Sequence, residues 1–428
     1  MPSLNIPDSN LQRIVIIGCG FGGLNFAKKI NHKKYQVVMI DKHNYHTFQP
    51  LLYQVATAGL EPDSIAYPIR NIFRKLPNFY FRLAEAQKID TAQQILHLNI
   101  GELHYDHLII ATGSETNYFG MTEVEKWSMP MKTVPEALNL RSLILQNFEA
   151  ASLTQDLSER ERLMNFAIVG AGPTGTELAG ALAELKNHVL PNDYPDLDFR
   201  RMSIHLIEMA GKVLPPMQDF SSRNALEYLE SLGVQVWLNT AVKSYDGAIV
   251  ETNKKSIPAS TLIWAAGVKG NIIEGLQEGA DFKMGRYLVN EWNQIGEHQS
   301  IYAIGDVASM QTESLPKGHP MLAQVAIQQG MNLAKNLNGQ KEVSSWKKFV
   351  YKDKGTMATV GRNKAVAELF NKLMLKGFPG WAVWMAVHLL SLVGFRNRVV
   401  VFFNWLVNYF SYDRKIRLII RPWERKEV

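Results

Sequence analysis

Two sets of three glycines, each followed at a distance by an acid, are the residues of this chain best placed to do chemistry. Gly18, Gly20 and Gly23 lie in RIVIIGCGFGG, and Asp41 closes the apolar run YQVVMID 18 residues after Gly23. Gly170, Gly172 and Gly175 lie in NFAIVGAGPTG, and Glu208 closes MSIHLIE 33 residues after Gly175. This pattern receives a dinucleotide. The first glycine permits a tight turn, the second lets the backbone approach a pyrophosphate, and the third lets helix and strand pack closely. The N-terminus of the helix that follows then faces the phosphates, and the acid is placed to accept from ribose hydroxyls. Two such cradles, 152 residues apart, predict two dinucleotides, most naturally a flavin and a nicotinamide.

The elements that hold these residues are legible around them. Apolar, β-rich runs at 13–17 and 35–41 flank a helix-compatible stretch at 24–30, and the second copy repeats this with a helix from 176 to 185. Its longer spacing comes from 186–201, which contains Pro191 and Pro195 and reads as an insertion. Two more apolar strands end in small residues and glycine: YDHLIIATG at 105–113 and TLIWAAG at 261–267. Each lets the chain leave its nucleotide domain close to the ligand. The run IYAIGD at 301–306 ends in Asp306, a carboxylate able to bond the hydroxyls of a ribityl chain.

Composition narrows the chemistry. The chain of 428 residues is 46% hydrophobic and 20% charged, which is a globular balance. Its one cysteine, Cys19, lies inside the first phosphate loop, so an intrachain disulfide, a Cys-only zinc site and an ordinary iron–sulfur cluster are excluded. The pairs His43/His46 and His104/His107 have no third ligand nearby, and no metal is expected. The net charge of +6 is concentrated at the end: residues 364–428 hold 11 basic and 4 acidic groups, a net of +7. The same stretch carries apolar runs at 382–395 and 399–410, each shorter than a spanning helix needs. Asn397, Asn404, Asn408 and Ser411 recur at helical spacing, and Trp381, Trp384, Trp405 and Tyr409 suit a membrane interface. Basic and apolar together point to a lipid bilayer surface and not to nucleic acid. No secretory signal precedes the first strand, so the expected location is the cytoplasmic face of the cell membrane, with the helices lying in one leaflet.

The set of motifs resembles the two-dinucleotide-binding-domain flavoproteins of glutathione-reductase-like fold. Within them the chain is similar to the type II NADH dehydrogenases, single-subunit NADH:quinone oxidoreductases. The closer match rests on YHTFQPLLYQVATAGL (45–60), GAGPTGTE (170–177), AQVAIQQG (323–330) and DKGTMATVGRNK (353–364). The resemblance implies an α/β chain with an FAD domain over 1–125 and 296–350, an NADH domain over 160–295, and a C-terminal amphipathic, membrane-anchoring region over 351–428. It implies non-covalent FAD held by the first cradle, with Gly22, Lys42, Gln54, Ala111, Thr112, Gly113, Asp306 and Val325 beside it. NADH falls to the second cradle, with Glu208 on the adenosine ribose and Gly267 at the exit. Glu208 would repel a 2′-phosphate, so NADH is expected over NADPH. Glu177 is expected near the nicotinamide and flavin, orienting the one or relaying protons. Gln324 and Gln328, one helical turn apart, are expected to meet the flavin and the carbonyls of a membrane quinone. With no thiol beside the flavin, electrons leave it directly for a diffusible acceptor, without proton pumping, and a homodimer is expected. A soluble NAD(P)H-dependent flavin reductase, passing electrons to oxygen or a redox protein, shares both fingerprints and stays open at this point. So does a flavin-binding scaffold with slow chemistry.

Overall fold

The three central strands around each glycine fingerprint are largely apolar and buried, because a parallel sheet covered on both faces has no polar side. The computed structural model describes residues 4–276, 280–313, 315–339, 342–370, 372–411 and 416–424. They form two compact units: 1–46, 67–115 and 268–353, and 47–66, 116–267 and 354–428. The first is built on a sheet in the order Ile301–Ala303, His107–Ile110, Gln12–Ile17, Tyr35–Asp41, Phe79–Leu83. The second follows the order Met129–Pro130, Thr261–Trp264, Phe166–Val169, Ile204–Ile207, Val234–Trp237. Every pairing in both is parallel.

The duplication read in the sequence extends to individual hydrogen bonds. Gly18 N donates to Ile40 O and Gly170 N to Ile207 O, both at 2.8 Å. Ala111 N donates to Ile17 O and Ala265 N to Val169 O, again at 2.8 Å. In each sheet the third strand therefore carries the glycines, the fourth the acid, and the second the exit.

Six helices position the groups discussed below: α1 (Phe21–Lys29), α2 (Leu52–Ala56), α3 (Pro173–His188), α4 (Ala323–Gly339), α5 (Gly377–Ser391) and α6 (Phe395–Ser411). Helix α3 runs one turn past the expected end at 185, and the insertion begins after it. Helices α5 and α6 follow a three-stranded antiparallel sheet, Gly355–Thr359, Ala365–Leu369 and Leu373–Lys376, inside the second unit. Among the described residues no helix is long and apolar enough to cross a membrane.

Candidate active site

The first cradle folds tightly upon itself. Gly18 has φ +99°, and a Cβ there would lie 2.3 Å from Ala111 O. A Cβ on Gly23 would lie 2.0 Å from Gly18 O, and one on Gly175 would lie 1.9 Å from Gly170 O. The second glycines differ: a Cβ on Gly20 or Gly172 would meet nothing within 4 Å. Both cap a helix start with no side chain on the free N–H groups. Each cradle thus offers open space directly over a positively polarised helix end, which fits the pyrophosphate of a dinucleotide.

The acids do something the sequence did not reveal. Asp41 Oδ2 accepts from Cys19 N at 2.6 Å and Oδ1 from His43 N at 2.8 Å. Glu208 Oε2 accepts from Ala171 N at 2.7 Å and Oε1 from Ala210 N at 2.8 Å. Each carboxylate first braces the phosphate loop across from it, and its remaining lone pairs are those a ribose can use. Burial raises the Asp41 pKa, opposed by those two amide donors. Lys42 beside it is exposed.

The exit at Ala111, Thr112 and Gly113 is pinned to one residue. Thr112 Oγ1 donates to Asn271 O at 2.6 Å, and Asn271 N donates to Gly113 O at 3.1 Å. Ser114 Oγ donates to Asp306 at 2.6 Å. On α4, Val325 is buried, and Gln324 and Gln328 are half-buried. The Gln328 amide is locked to the main chain, donating to Lys352 O at 2.9 Å and accepting from Lys352 N at 3.0 Å. Sequence reasoning missed the next residue. Gln329 is fully buried, accepts from Gly305 N at 2.7 Å, and its Nε2 has no partner among the described residues. Its only signal was membership of the AQVAIQQG motif. His46, weighed in the sequence only as half of a metal-binding pair, braces the phosphate loop instead. Its Nδ1 lies 2.7 Å from Cys19 O, so that nitrogen carries the proton, and Nε2 is buried without a partner among the described residues. Burial pushes its pKa down to about 4, so it stays neutral.

The open space over Gly20 gives a direct check. Its backbone is extended, so valine there is tolerated by the chain but fills the pyrophosphate position. Gly20→Val is expected to fold normally and weaken FAD binding about 100-fold, roughly 2.7 kcal/mol. Flavin absorbance of the purified variant, against its circular dichroism, decides this.

The second unit holds a different kind of site. A cavity of about 110 Å³ lies between α2, α3, the turn after Gly355–Thr359, and the tail helices α5 and α6. Trp381, Trp384, Trp405, Tyr409 and Tyr53 make its walls aromatic, and Glu177 and Gln54 reach it. Glu177 is buried, and its Oε1 accepts from Trp384 Nε1 at 3.1 Å and Thr359 N at 3.4 Å. Burial outweighs these two donors and pushes its pKa up to about 8. At neutral pH it is therefore a protonated acid in an aromatic pocket. Gln54 is held from both sides, accepting from Trp405 Nε1 at 2.8 Å and donating to Tyr53 Oη at 3.0 Å. Gly267 is close-packed, its missing Cβ 2.9 Å from Phe119.

Helix α6 turns the asparagines of its polar stripe inward, while Ser411 is exposed and donates to Val407 O of its own helix at 2.9 Å. Asn397 donates to Asp63 O and Ala66 O, Asn404 to Glu61, and Asn408 to Gly59 O. Its outward side exposes Phe402, Phe403, Leu406, Val407 and Phe410. The segment from Gln54 to Ala66 is thus clasped by the tail. Among the described residues no group of three or more His, Cys, Asp and Glu could hold a metal.

Residues 12–330 match the pyridine nucleotide-disulphide oxidoreductase family, and 354–412 match the NDH2 C-terminal domain. The chain is 36% identical over 422 residues to the type II NADH:quinone oxidoreductase NdhA of Mycobacterium tuberculosis, covering 94% of this chain and 88% of that one. It is 28% identical to the external NADH-ubiquinone oxidoreductase 2 of Saccharomyces cerevisiae mitochondria, covering 93% and 81%. Its fold resembles that of NDH2 from Plasmodium falciparum in complex with NADH, with a TM-score of 0.87 at 24% identity over 96% of this chain and all of the other.

Proposed function

Since the chain belongs to the type II NADH:quinone oxidoreductases, we propose that it passes two electrons from NADH by way of FAD to a quinone, with no pumping step. The net reaction is NADH + H⁺ + quinone → NAD⁺ + quinol. Bound FAD supplies the redox chemistry. The chain's residues bind, orient and handle the proton. The loop amides at Gly20 and Gly172 hold the two pyrophosphates. Glu208, fixed by Ala171 N and Ala210 N, keeps a negative charge where the adenosine ribose lies.

The observation that carries this reading further is the Glu177 cavity. Its walls are largely flat aromatic rings, two of its sides are the tail helices, and among its lining residues is the buried Glu177 carboxyl, whose pKa is pushed up to about 8. We assign it to the quinone ring, with Glu177 as proton donor. Of the two roles expected for Glu177, this takes the proton relay. Gln324 and Gln328 do not line this cavity and are proposed as amide contacts of the flavin, Gln328 preset by its two bonds to Lys352.

The exposed apolar side of α6, with Arg396 and Arg398 at its start, supports a foot lying in one leaflet of the cytoplasmic membrane face. Such an enzyme reaches a quinone that stays in the bilayer. The proposed homodimer is compatible with it. The assignment stands on an anaerobic experiment: NADH must bleach the flavin absorbance of the purified enzyme, and a quinone must restore it. NADPH at equal concentration is expected to bleach at least about tenfold slower, a difference of about 1.4 kcal/mol. Equal rates would remove the role given to Glu208.

A further inference from the structure

We propose that Glu184 feeds the proton that Glu177 delivers, so that one side of α3 is the enzyme's proton inlet. The inference rests on the assignment of the cavity to the quinone. Residues 177, 181 and 184 stand at i, i+4 and i+7 on one face of a helix. All three line the cavity, and the small Ala181 leaves the space between the two acids open. Glu177 is buried and Glu184 half-buried, so the pair runs from interior toward solvent. Among the described residues no other carboxyl lines the cavity. Its remaining ionisable groups are Tyr53, Tyr409 and Arg362, and a guanidinium does not give up a proton at working pH.

Glu184 is also held in place. Its Oε1 accepts from Arg362 N at 2.5 Å, and a Cβ on Gly361 would lie 2.8 Å from the same oxygen. Arg362 is fixed in turn by Asn408 O at 2.5 Å and by the Tyr409 ring, whose centre is 5.0 Å from the guanidinium carbon. The cavity volume of about 110 Å³ has room for a short file of waters between the acids.

The stoichiometry says what the pair must carry. Of the two hydrogens gained by the quinone, one arrives with the hydride of NADH and one is taken from water. Glu177 gives its proton to a quinone oxygen and becomes a carboxylate. Glu184 reprotonates it through the intervening water and is itself refilled from solvent. No further oxidant or reductant enters.

The test uses FAD-loaded enzyme in lipid vesicles. Glu184→Gln keeps the acceptor for Arg362 N and loses the transferable proton. NADH should bleach the flavin at the wild-type rate. Recovery on adding quinone should slow about tenfold, with a larger solvent deuterium isotope effect, and imidazole buffer should restore part of the rate as a substitute proton carrier. Recovery of Glu184→Gln with wild-type rate and isotope effect overturns the inlet. So does a slow Glu184→Ala beside a wild-type Glu184→Gln, which would make Glu184 a brace for Arg362 only. Glu177→Gln run in parallel separates the two levels. If Glu177→Gln is slow and Glu184→Gln is not, only the inlet falls. If both recover normally, the cavity assignment falls with it.

Discussion

Glu177→Gln is expected to cut quinol formation about 100-fold while leaving NADH-driven bleaching of the flavin near its wild-type rate. Glutamine is an isostere of the protonated acid. Its carbonyl can still accept from Trp384 Nε1 and Thr359 N, so the cavity keeps its shape. What it lacks is a proton to give. The wild-type rate of quinone reduction should fall on the alkaline side as Glu177 ionises around pH 8. The variant should lose that limb. Steady-state rates across pH, together with single-turnover bleaching, check both parts. A variant that reduces quinone at the wild-type rate would exclude Glu177 as donor.

The same substitution should stabilise the fold, which separates a chemical defect from a structural one. The folded Glu177 has a pKa raised to about 8 from an ordinary value of 4.5. Between those values the folded chain holds a proton that the unfolded chain has released. The stability this contributes is complete below the unfolded pKa and is lost progressively up to pH 8. Glutamine carries no such dependence, so the variant's advantage grows from pH 5 to pH 8 and reaches the order of a few kcal/mol. Melting temperatures of variant and wild type at both ends of that window measure it. A less stable, less active variant would mean that the lost activity was lost structure.

How much of this could be read from the chain depends on how far each group's partner lies in sequence. The glycine fingerprints were legible because each is local: turn, helix start and closing acid fall within a few tens of residues, and a steric requirement fixes each type. The acids were legible as positions but not as actions. Asp41 and Glu208 point first at the amides of Cys19 and Ala171 in the loop opposite, and pattern alone does not show that the loop needs a brace. Spacing singled out Gln324 and Gln328 as a stripe. Gln329, about 100° further round α4, is the glutamine that the core holds on Gly305, and no period marks it. The asparagines of α6 were visible as a stripe whose direction was not. A minority polar face normally turns to water. Here it turns inward, because the main-chain oxygens of Gly59, Asp63 and Ala66 need donors and lie more than 300 residues away. The cavity was invisible for the same reason, since its walls come from five separate stretches of chain.

That inverted helix gives the second large effect. Replacing Phe402, Phe403, Leu406 and Phe410 of α6 with serine should release the protein from lipid vesicles. Each side chain stands between 42% and 76% exposed, so lipid can cover roughly half of its surface. At about 1 kcal/mol for each, the four together contribute about 4 kcal/mol, or roughly a thousandfold in partition. The inward face, with Asn397, Val401, Trp405 and Asn408, is untouched, so Gln54 keeps its bond from Trp405 and the cavity keeps its wall. The variant should therefore oxidise NADH normally with a water-soluble quinone analogue and fail only with a quinone confined to the bilayer. The opposite change makes the contrast sharp. Asn404→Leu with Asn408→Leu renders the helix more apolar but removes its bonds to Glu61 and Gly59 O. A helix whose sole duty is adhesion would be improved by it. A helix that also clasps the segment from Gln54 to Ala66 would stay on the vesicle and lose turnover with either quinone. Sedimentation with vesicles, paired with the two assays, distinguishes these behaviours, and a serine variant that still sediments with lipid would remove α6 from the membrane.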